Sequence, residues 1–241
     1  MSQMLYQLNQ RNLAFPPLDC ALDEPNGLLA VGGDLSPQRL LSAYSQGIFP
    51  WFSDNDPLMW WSPNPRAIIK LKHLRINRTL RKALKKSPYK ITLNTAFKQV
   101  IKQCANAPFR DDSTWILPEM QAAYIKLHQL GHAHSIEVWQ ATDNDSTKQD
   151  LVGGLYGIAI NGFFSGESMF YTQNNASKFA LIALANLLSS IKVDFIDCQL
   201  LNPFLSDMGA VEISRDHFIE IKQTAINKAV VANFWQAREL Y

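Results

Sequence analysis

The chain is short of cysteine, with three in 241 residues. Cys20, Cys104 and Cys198 are odd in number and far apart. That excludes a disulfide framework and offers no ligand spacing for a structural metal. No apolar run approaches the roughly 20 residues that a membrane span requires, and Met1 to Arg11 is polar, without the apolar centre of a secretory signal. These absences point to a reduced, cytoplasmic setting with no membrane partner. Glycine is present but not in nucleotide-binding order: Gly32-Gly33 lacks both the GxGxxG spacing and a P-loop lysine. Acid is missing from one long stretch. Residues 57 to 110 carry 13 Lys and Arg and no Asp or Glu, while the rest of the chain holds 10 basic residues against 21 acidic ones. The overall charge of +2 hides this asymmetry. A basic block on an otherwise acidic chain is an electrostatic footprint for a polyanion such as nucleic acid. The plainer reading is a solvated basic helix face.

What is there fits a folded α/β protein. Hydrophobic residues make up 47% of the chain, enough for a sizeable core. Ser36-Pro37 opens a helix that Gly47 stops, with Leu40, Leu41, Tyr44 and Ile48 on its buried face. Three tryptophans and two phenylalanines fall in the 13 residues from Phe49 to Trp61. They are either the core of a small subdomain or a stacking platform for a base. The Pro63-Pro65 cluster marks a seam, dividing the chain into a small domain of residues 1–64 and a larger one of 65–241.

In the larger part, Asn77 caps a helix over Arg78 to Lys86. Leu80 and Leu84 face inward, and Arg78, Arg81, Lys82, Lys85 and Lys86 form a basic ridge suited to phosphate contacts. A strand over Tyr89–Leu93 and a helix over Thr95–Ala105 follow. Asp111 to Ile116 is a loop, and Pro118 starts a helix ended by Gly131, with Met120, Tyr124, Leu127 and Leu130 buried. His128, His132 and His134 lack a further ligand, so packing explains them better than metal. Strands at 134–141, 151–160 and 163–170 form a meander around a polar loop, Thr142 to Asp150, and an Asn161-Gly162 turn with positive φ at both positions. Asn174 or Asn175 caps a long apolar helix to Ile191. A strand over Val193–Leu200, a short helix from Pro203 and a last helix over Arg215–Asn227 complete a mixed-sheet α/β fold.

Polar groups recur inside these apolar strands. Strict alternation puts Asp197 and Gln199 on one face with Cys198 opposite, and Glu167 with Met169 while Ser168 points away. A carboxylate and an amide beside Met169, Phe164 and Leu155 suit a largely apolar pocket with few polar groups. The same residues equally suit a buried polar network that fixes strand register.

Several stretches carry a closer likeness. Pro25-Asn26-Gly27-Leu28, Gly47-Ile48-Phe49-Pro50-Trp51-Phe52, Trp60-Trp61-Ser62-Pro63-Asn64-Pro65-Arg66, Gly131-His132-Ala133-His134-Ser135-Ile136-Glu137-Val138-Trp139, Gly166-Glu167-Ser168-Met169-Phe170, Asn175-Ala176-Ser177-Lys178 and Ile196-Asp197-Cys198-Gln199 resemble the leucyl/phenylalanyl-tRNA–protein transferases, in the same order and over nearly the whole chain. The resemblance implies an acetyltransferase-like (GNAT-type) catalytic domain. It implies transfer of Leu, Phe or, less well, Met from aminoacyl-tRNA to the α-amine of proteins that begin with Arg or Lys, marking them for proteolysis. It implies Asp197 and Gln199 as the catalytic pair, Glu167 near the reactive ester and amine, and Leu155, Phe164 and Met169 as the side-chain pocket. Trp51 and Trp115 would hold the aminoacyl-adenosine end, with Asn202 and Tyr124 lining the site, and Lys85 and Lys86 would lie in the tRNA-contacting segment. No Gln/Arg-x-x-Gly-x-Gly/Ala loop precedes the long helix, so no cofactor and in particular no coenzyme A is expected. The expected enzyme is a metal-free monomer. The amine must lose a proton as it attacks, and Asp197 is a candidate to take or relay it while Gln199 orients the groups or polarises the carbonyl. The rival readings are a coenzyme A-dependent acyltransferase and a non-catalytic RNA-binding module.

Overall fold

The computed structural model describes residues 4–107, 114–142 and 145–241, with backbone alone for 145–147. Arg110 of the basic block, Asp111 to Ser113 of the expected loop, and Asp143 and Asn144 lie outside the described residues.

Two sheets form. The first is built by β1 (Tyr6–Leu8), β2 (Leu28–Gly32), β3 (Phe49–Pro50) and β4 (Met59–Trp61), in the order β1-β2-β4-β3. α1 (Pro37–Gln46) lies between β2 and β3 in the chain. Its signals act as expected: Ser36 accepts the Arg39 N–H, and Gly47 ends it in the left-handed region at φ 83°. The aromatic cluster is largely core. Trp60 is fully buried and its indole donates to Gly32 O at 2.9 Å. Trp51 is the exception, 41% exposed.

The second sheet holds β5 (Arg66–Lys70), β6 (Lys90–Leu93), β7 (Ala133–Thr142), β8 (Asp145–Ile160), β9 (Phe163–Tyr171), β10 (Phe195–Gln199), β11 (Val211–Ile213) and β12 (Arg238–Glu239). Their order is β11-β5-β10-β9-β8-β7-β6-β12. Every neighbouring pair is antiparallel except β9 and β10. An antiparallel meander, a crossover helix and a returning parallel strand make the mixed α/β fold expected.

Alternation sends the meander's side chains to two cores. Tyr156, Ile158 and Phe170 pack with α3 (Phe97–Ala105), α4 (Pro118–Gln129) and α1. Leu155, Ala159 and Phe164 pack under α5 (Ala176–Ser190). α2 (Arg78–Lys86) and α6 (Pro203–Asp207) border that second core, and α7 (Arg215–Ile226) puts Phe218 on Ile68, Phe163 and Phe195.

Several expectations need correction. The polar stretch taken as a loop is largely strand: Gln140 pairs with Asp150 and Ala141 with Gln149, because an exposed hairpin extension needs no apolar face. Leu130 is 50% exposed instead of buried. Asn175 precedes α5 but makes no side-chain cap and sits at φ 64°. In the β8–β9 turn only Asn161 takes positive φ, 52°. Gly162 is needed for space: a Cβ there would lie 2.8 Å from Ala225 O.

Candidate active site

Two strands of the second sheet lose regular pairing at the same level. Tyr156 faces Ser168 and Gly157 faces Gly166, which leaves Glu167 as an extra residue on β9. Ile68 faces Asp197 and Ala67 faces Gln199, which leaves Cys198 extra on β10. Both are β-bulges, which re-aim side chains locally. Gly157 permits the first: a Cβ there would collide with Ser165 O and the Phe164 ring. β9 and β10 share one registered pair, Asp197 with Ser165. Residues just beyond it on both strands line a cavity of ≈ 540 Å³, within the range of small-ligand sites.

One wall of the cavity is apolar. Leu155, Phe164 and Met169 form it with Leu181 and Leu184 of α5 and Ile196. Phe49, Trp51 and Trp115, with Pro50 between the first two, supply a largely aromatic rim. Asn202 stands at the edge, where its Oδ1 also accepts the Leu205 N–H at 2.8 Å and so caps α6. The polar groups of the lining include Glu167, Ser168 and Gln199.

The bulges overturn the alternation argument. Cys198 and Gln199 both reach the cavity, while Asp197 turns away from it and is fully buried. Glu167 and Met169 line the same cavity from opposite faces. Met169 packs with the α5 core, whereas Glu167 reaches Tyr124 on α4. Ser168, expected to point away, is part of the lining.

Asp197 is saturated. Arg66 Nε donates to its Oδ1 at 2.8 Å and Nη2 to its Oδ2 at 2.7 Å. The Gln199 backbone N–H adds a bond to Oδ1 at 3.1 Å, and Ser165 Oγ adds one to Oδ2 at 2.9 Å. Four donors meet the roughly four lone-pair positions of a carboxylate. Arg66 is itself fixed between the Phe49 and Phe218 rings, at 4.8 and 4.6 Å, and donates to Gly47 O. The pair thus holds Gln199 at φ 64°, a left-handed conformation that side chains other than glycine rarely adopt.

Gln199 uses that conformation to reach across the gap. Its Nε2 donates to Glu167 Oε1 at 2.8 Å and lies 3.4 Å from Ser165 Oγ. Tyr124 Oη donates to Glu167 Oε2 at 2.9 Å, and Tyr44 Oη lies 2.5 Å from Tyr124 Oη. Burial pushes the Glu167 carboxyl up to about 7, and the Asp197 charge adds to it, against the hydrogen bonds of Tyr44, Tyr124 and Gln199. Burial likewise raises both tyrosines well above the usual phenol value, with Glu167 second, so they remain hydrogen-bond donors. Burial and then Asp197 push the Cys198 thiol up, which removes it as a nucleophile at neutral pH.

Of the residues singled out in the sequence, Glu167, Gln199, Trp51, Trp115, Leu155, Phe164, Met169 and Asn202 meet in one cavity. Tyr124 does not line it; fully buried, it backs Glu167. Arg78, Arg81, Lys82, Lys85 and Lys86 sit exposed on α2. The sequence reading missed Arg66, Ser165 and Tyr44, although Arg66 closes a quoted motif and a lone Arg before the apolar run of β5 signals a buried partner. His134 and His128 pack as expected. His134 stacks on Trp235 at 4.0 Å and pairs with Asn94, and His128 stacks on Phe97 at 4.3 Å. Among the described residues no group of three or more His, Cys, Asp or Glu could hold a metal ion.

Comparison with known proteins decides the family. The family model described as "Leucyl/phenylalanyl-tRNA protein transferase" matches residues 68–223, and that of its N-terminal domain matches residues 33–64. The chain belongs to this transferase family. A leucyl/phenylalanyl-tRNA–protein transferase of Colwellia psychrerythraea is 69% identical over 240 residues, covering 100% of this chain and 99% of that one. The protein of the same name from Pseudoalteromonas translucida is 49% identical over 240 residues, covering 100% and 98%. A solved C-terminal domain (DUF2156) of a putative lysylphosphatidylglycerol synthetase from Agrobacterium fabrum is a remote likeness: TM-score 0.40, 10% identity, 88% of this chain and 65% of that one. The transferase family is the one expected from the motifs. In such a transferase, a cavity with an apolar wall, a carboxylate and an amide is equipped to bind an apolar side chain beside a reacting carbonyl. No described helix is long and apolar enough to cross a membrane.

Proposed function

We propose that this enzyme transfers Leu, Phe and, less readily, Met from aminoacyl-tRNA to the α-amine of proteins that begin with Arg or Lys, and so marks them for proteolysis in the cytoplasm. The observation that carries this reading is the cavity between β9 and β10, in a chain of this family. Its wall of Leu155, Phe164 and Met169 takes the aminoacyl side chain. Thioether flexibility at Met169 lets one pocket accept both branched and aromatic groups. Trp51 and Trp115 stack the terminal adenosine, and Asn202 borders it. The basic ridge of α2 engages the tRNA backbone, positioning it without reading its sequence.

Aminolysis of an ester is downhill, so the enzyme's task is chiefly positioning. Gln199 has two amide hydrogens. One is committed to Glu167, while the second has only the long contact to Ser165 and can polarise the ester carbonyl. Asp197 acts at one remove, by fixing the Gln199 backbone through the buried Arg66 pair. The enzyme works as a monomer and needs no metal or coenzyme. The small domain, 1–64, contributes Phe49, Pro50 and Trp51 of the rim to a site otherwise built on 65–241.

The test is transfer of radiolabelled Phe from Phe-tRNA to two peptides, one beginning with Arg and one with Glu. Label in the Arg peptide alone is the expected result. Binding of Phe-tRNA with label in neither peptide would reduce the chain to an RNA-binding module. Calorimetric binding of acetyl-CoA would move it to coenzyme A chemistry.

A further inference from the structure

Resting on that reading, we propose that Glu167, and not Asp197, takes the proton from the attacking α-amine and passes it to the ribose oxygen that leaves. Asp197 is the nearer choice on its place beside Gln199, but its oxygens already receive four donors and it does not line the cavity. Glu167 lines the cavity and receives Gln199 on one oxygen and Tyr124, backed by Tyr44, on the other; with fewer donors than Asp197 it keeps room for a proton. The Gln199 amide that would polarise the ester is 2.8 Å from Oε1. A proton on Glu167 is therefore released beside the carbonyl at which bonds form and break.

The step balances. The amine lone pair forms the N–C bond, and the nitrogen proton moves to the Glu167 carboxylate. The carbonyl oxygen's electrons then return and expel the ribose oxygen, which takes that same proton and leaves as a hydroxyl. A shuttle of this kind works best with an acidity near working pH. The Glu167 carboxyl, pushed from 4.5 to about 7, lies within about one unit of an ordinary α-amine near 8. An unshifted carboxyl would lie more than three units away, so the shift makes proton acceptance roughly 300-fold more favourable.

Burial sets this acidity first, and Tyr44, Tyr124, Asp197 and Gln199 adjust it from three elements. Tyr124 on α4 and Tyr44 on α1 stay protonated and hydrogen-bond it. Asp197 and Cys198 lie on β10, and Arg66 on β5 sits behind Asp197. Farther back, Lys222 on α7 donates to Ser45 O; burial and then Arg66 hold its ammonium down to about 8, against Asp197.

The experiment is single-turnover transfer of Phe from Phe-tRNA to an Arg peptide between about pH 5.5 and 9. Two deprotonations, of the amine and of Glu167, should give the wild type a slope approaching two in log rate against pH below 7. Glu167→Gln should lose about 10²- to 10⁴-fold in rate and keep only the amine's slope of one, while still binding Phe-tRNA. Asp197→Asn should lose rate but keep the slope of two. Tyr124→Phe removes a donor that favours the carboxylate, so its lower limb should move to higher pH, which a merely structural loss would not do. A Glu167→Gln enzyme with the wild-type slope, or a second slope lost in Asp197→Asn instead, would overturn the proposal. So would an unmoved limb in Tyr124→Phe, which covers a Glu167→Gln chain that fails to fold. Failure of the wild type to label the Arg peptide would instead sink the proposed function itself.

Discussion

Replacing Arg66 by Met should destabilise the protein by about 3–5 kcal/mol, the usual cost of stranding one partner of a buried ion pair. Both side chains are at most 1% exposed and share two bonds of 2.8 and 2.7 Å. Without the guanidinium, Asp197 keeps only Ser165 and the Gln199 N–H. Two donors do not compensate a full charge held away from water. For a chain of this size each kcal/mol moves the melting temperature by roughly 2–4 °C, so a drop of about 6–20 °C is expected. Asp197→Asn should cost a similar amount, because its amide N–H would confront Arg66. The double variant, Arg66→Met with Asp197→Asn, should recover at least half of the summed loss, since no charge is then stranded. Urea unfolding of the four proteins measures this directly. Single costs below about 1 kcal/mol, or simple additivity, would refute the view that the pair acts as one buried unit. Transfer should fall in every variant even well below its melting temperature, because the intact Arg66–Asp197 pair no longer fixes Gln199 in its left-handed turn.

Reversing Lys85 and Lys86 to Glu should weaken tRNA binding more than tenfold and lower the log–log salt slope by about two, leaving the melting temperature within a degree or two; an unchanged slope would move the tRNA contact off α2. Leu155→Trp should fill the apolar wall and cut transfer of Phe more than that of Leu by at least tenfold in kcat/KM, at about 1–3 kcal/mol of stability from overpacking; equal losses would place the side chain elsewhere. Stability should depend on pH in two opposed ways. Burial, with His128 second, holds His134 down to about 3 against 6.5. The unfolded chain then binds the extra proton across that window, so stability is lost as pH falls through it. Glu167, raised from 4.5 to about 7, has the opposite sign: the folded state binds the extra proton, and stability is lost as pH rises through 7. Glu167→Gln should therefore gain roughly 2.5 kcal/mol on the wild type between pH 5 and pH 8 in urea unfolding, and parallel curves would contradict the raised acidity.

Much of the fold was legible because its signals are local. Ser36, Asn77 and Ser214 cap the helices they precede, as single side chains can. The buried face of α5 follows from its apolar spacing, and the meander from alternation across a two-residue turn. The first sheet was less legible. Its strands are two to five residues long, too short for alternation to show. Eight of the residues singled out in the sequence meet in one cavity, but its geometry was not legible. Arg66 meets Asp197 across 131 positions of chain and Tyr44 meets Tyr124 across 80. No periodicity reports such distances.

The two bulges explain why alternation failed at the residues that matter. A carboxylate on a regular strand beside Met169 would have faced the apolar α5 core, where charge is too costly to keep. One extra residue at Glu167 turns it toward the two tyrosines instead, and one extra at Cys198 turns Gln199 toward Glu167. The same two irregularities sit where the parallel strands keep only one registered pair. Each departs from local preference: Gln199 holds a disfavoured φ, and Gly157 leaves β8 without a side chain. Such departures persist where the surrounding structure over-determines them. Here the Arg66–Asp197 pair does so, by fastening β10 to β5 and to the Phe49 and Phe218 rings. The buried pair is thus weak evidence for stability and strong evidence for placement. With four donors on its oxygens, Asp197 is engaged in holding β10 in place.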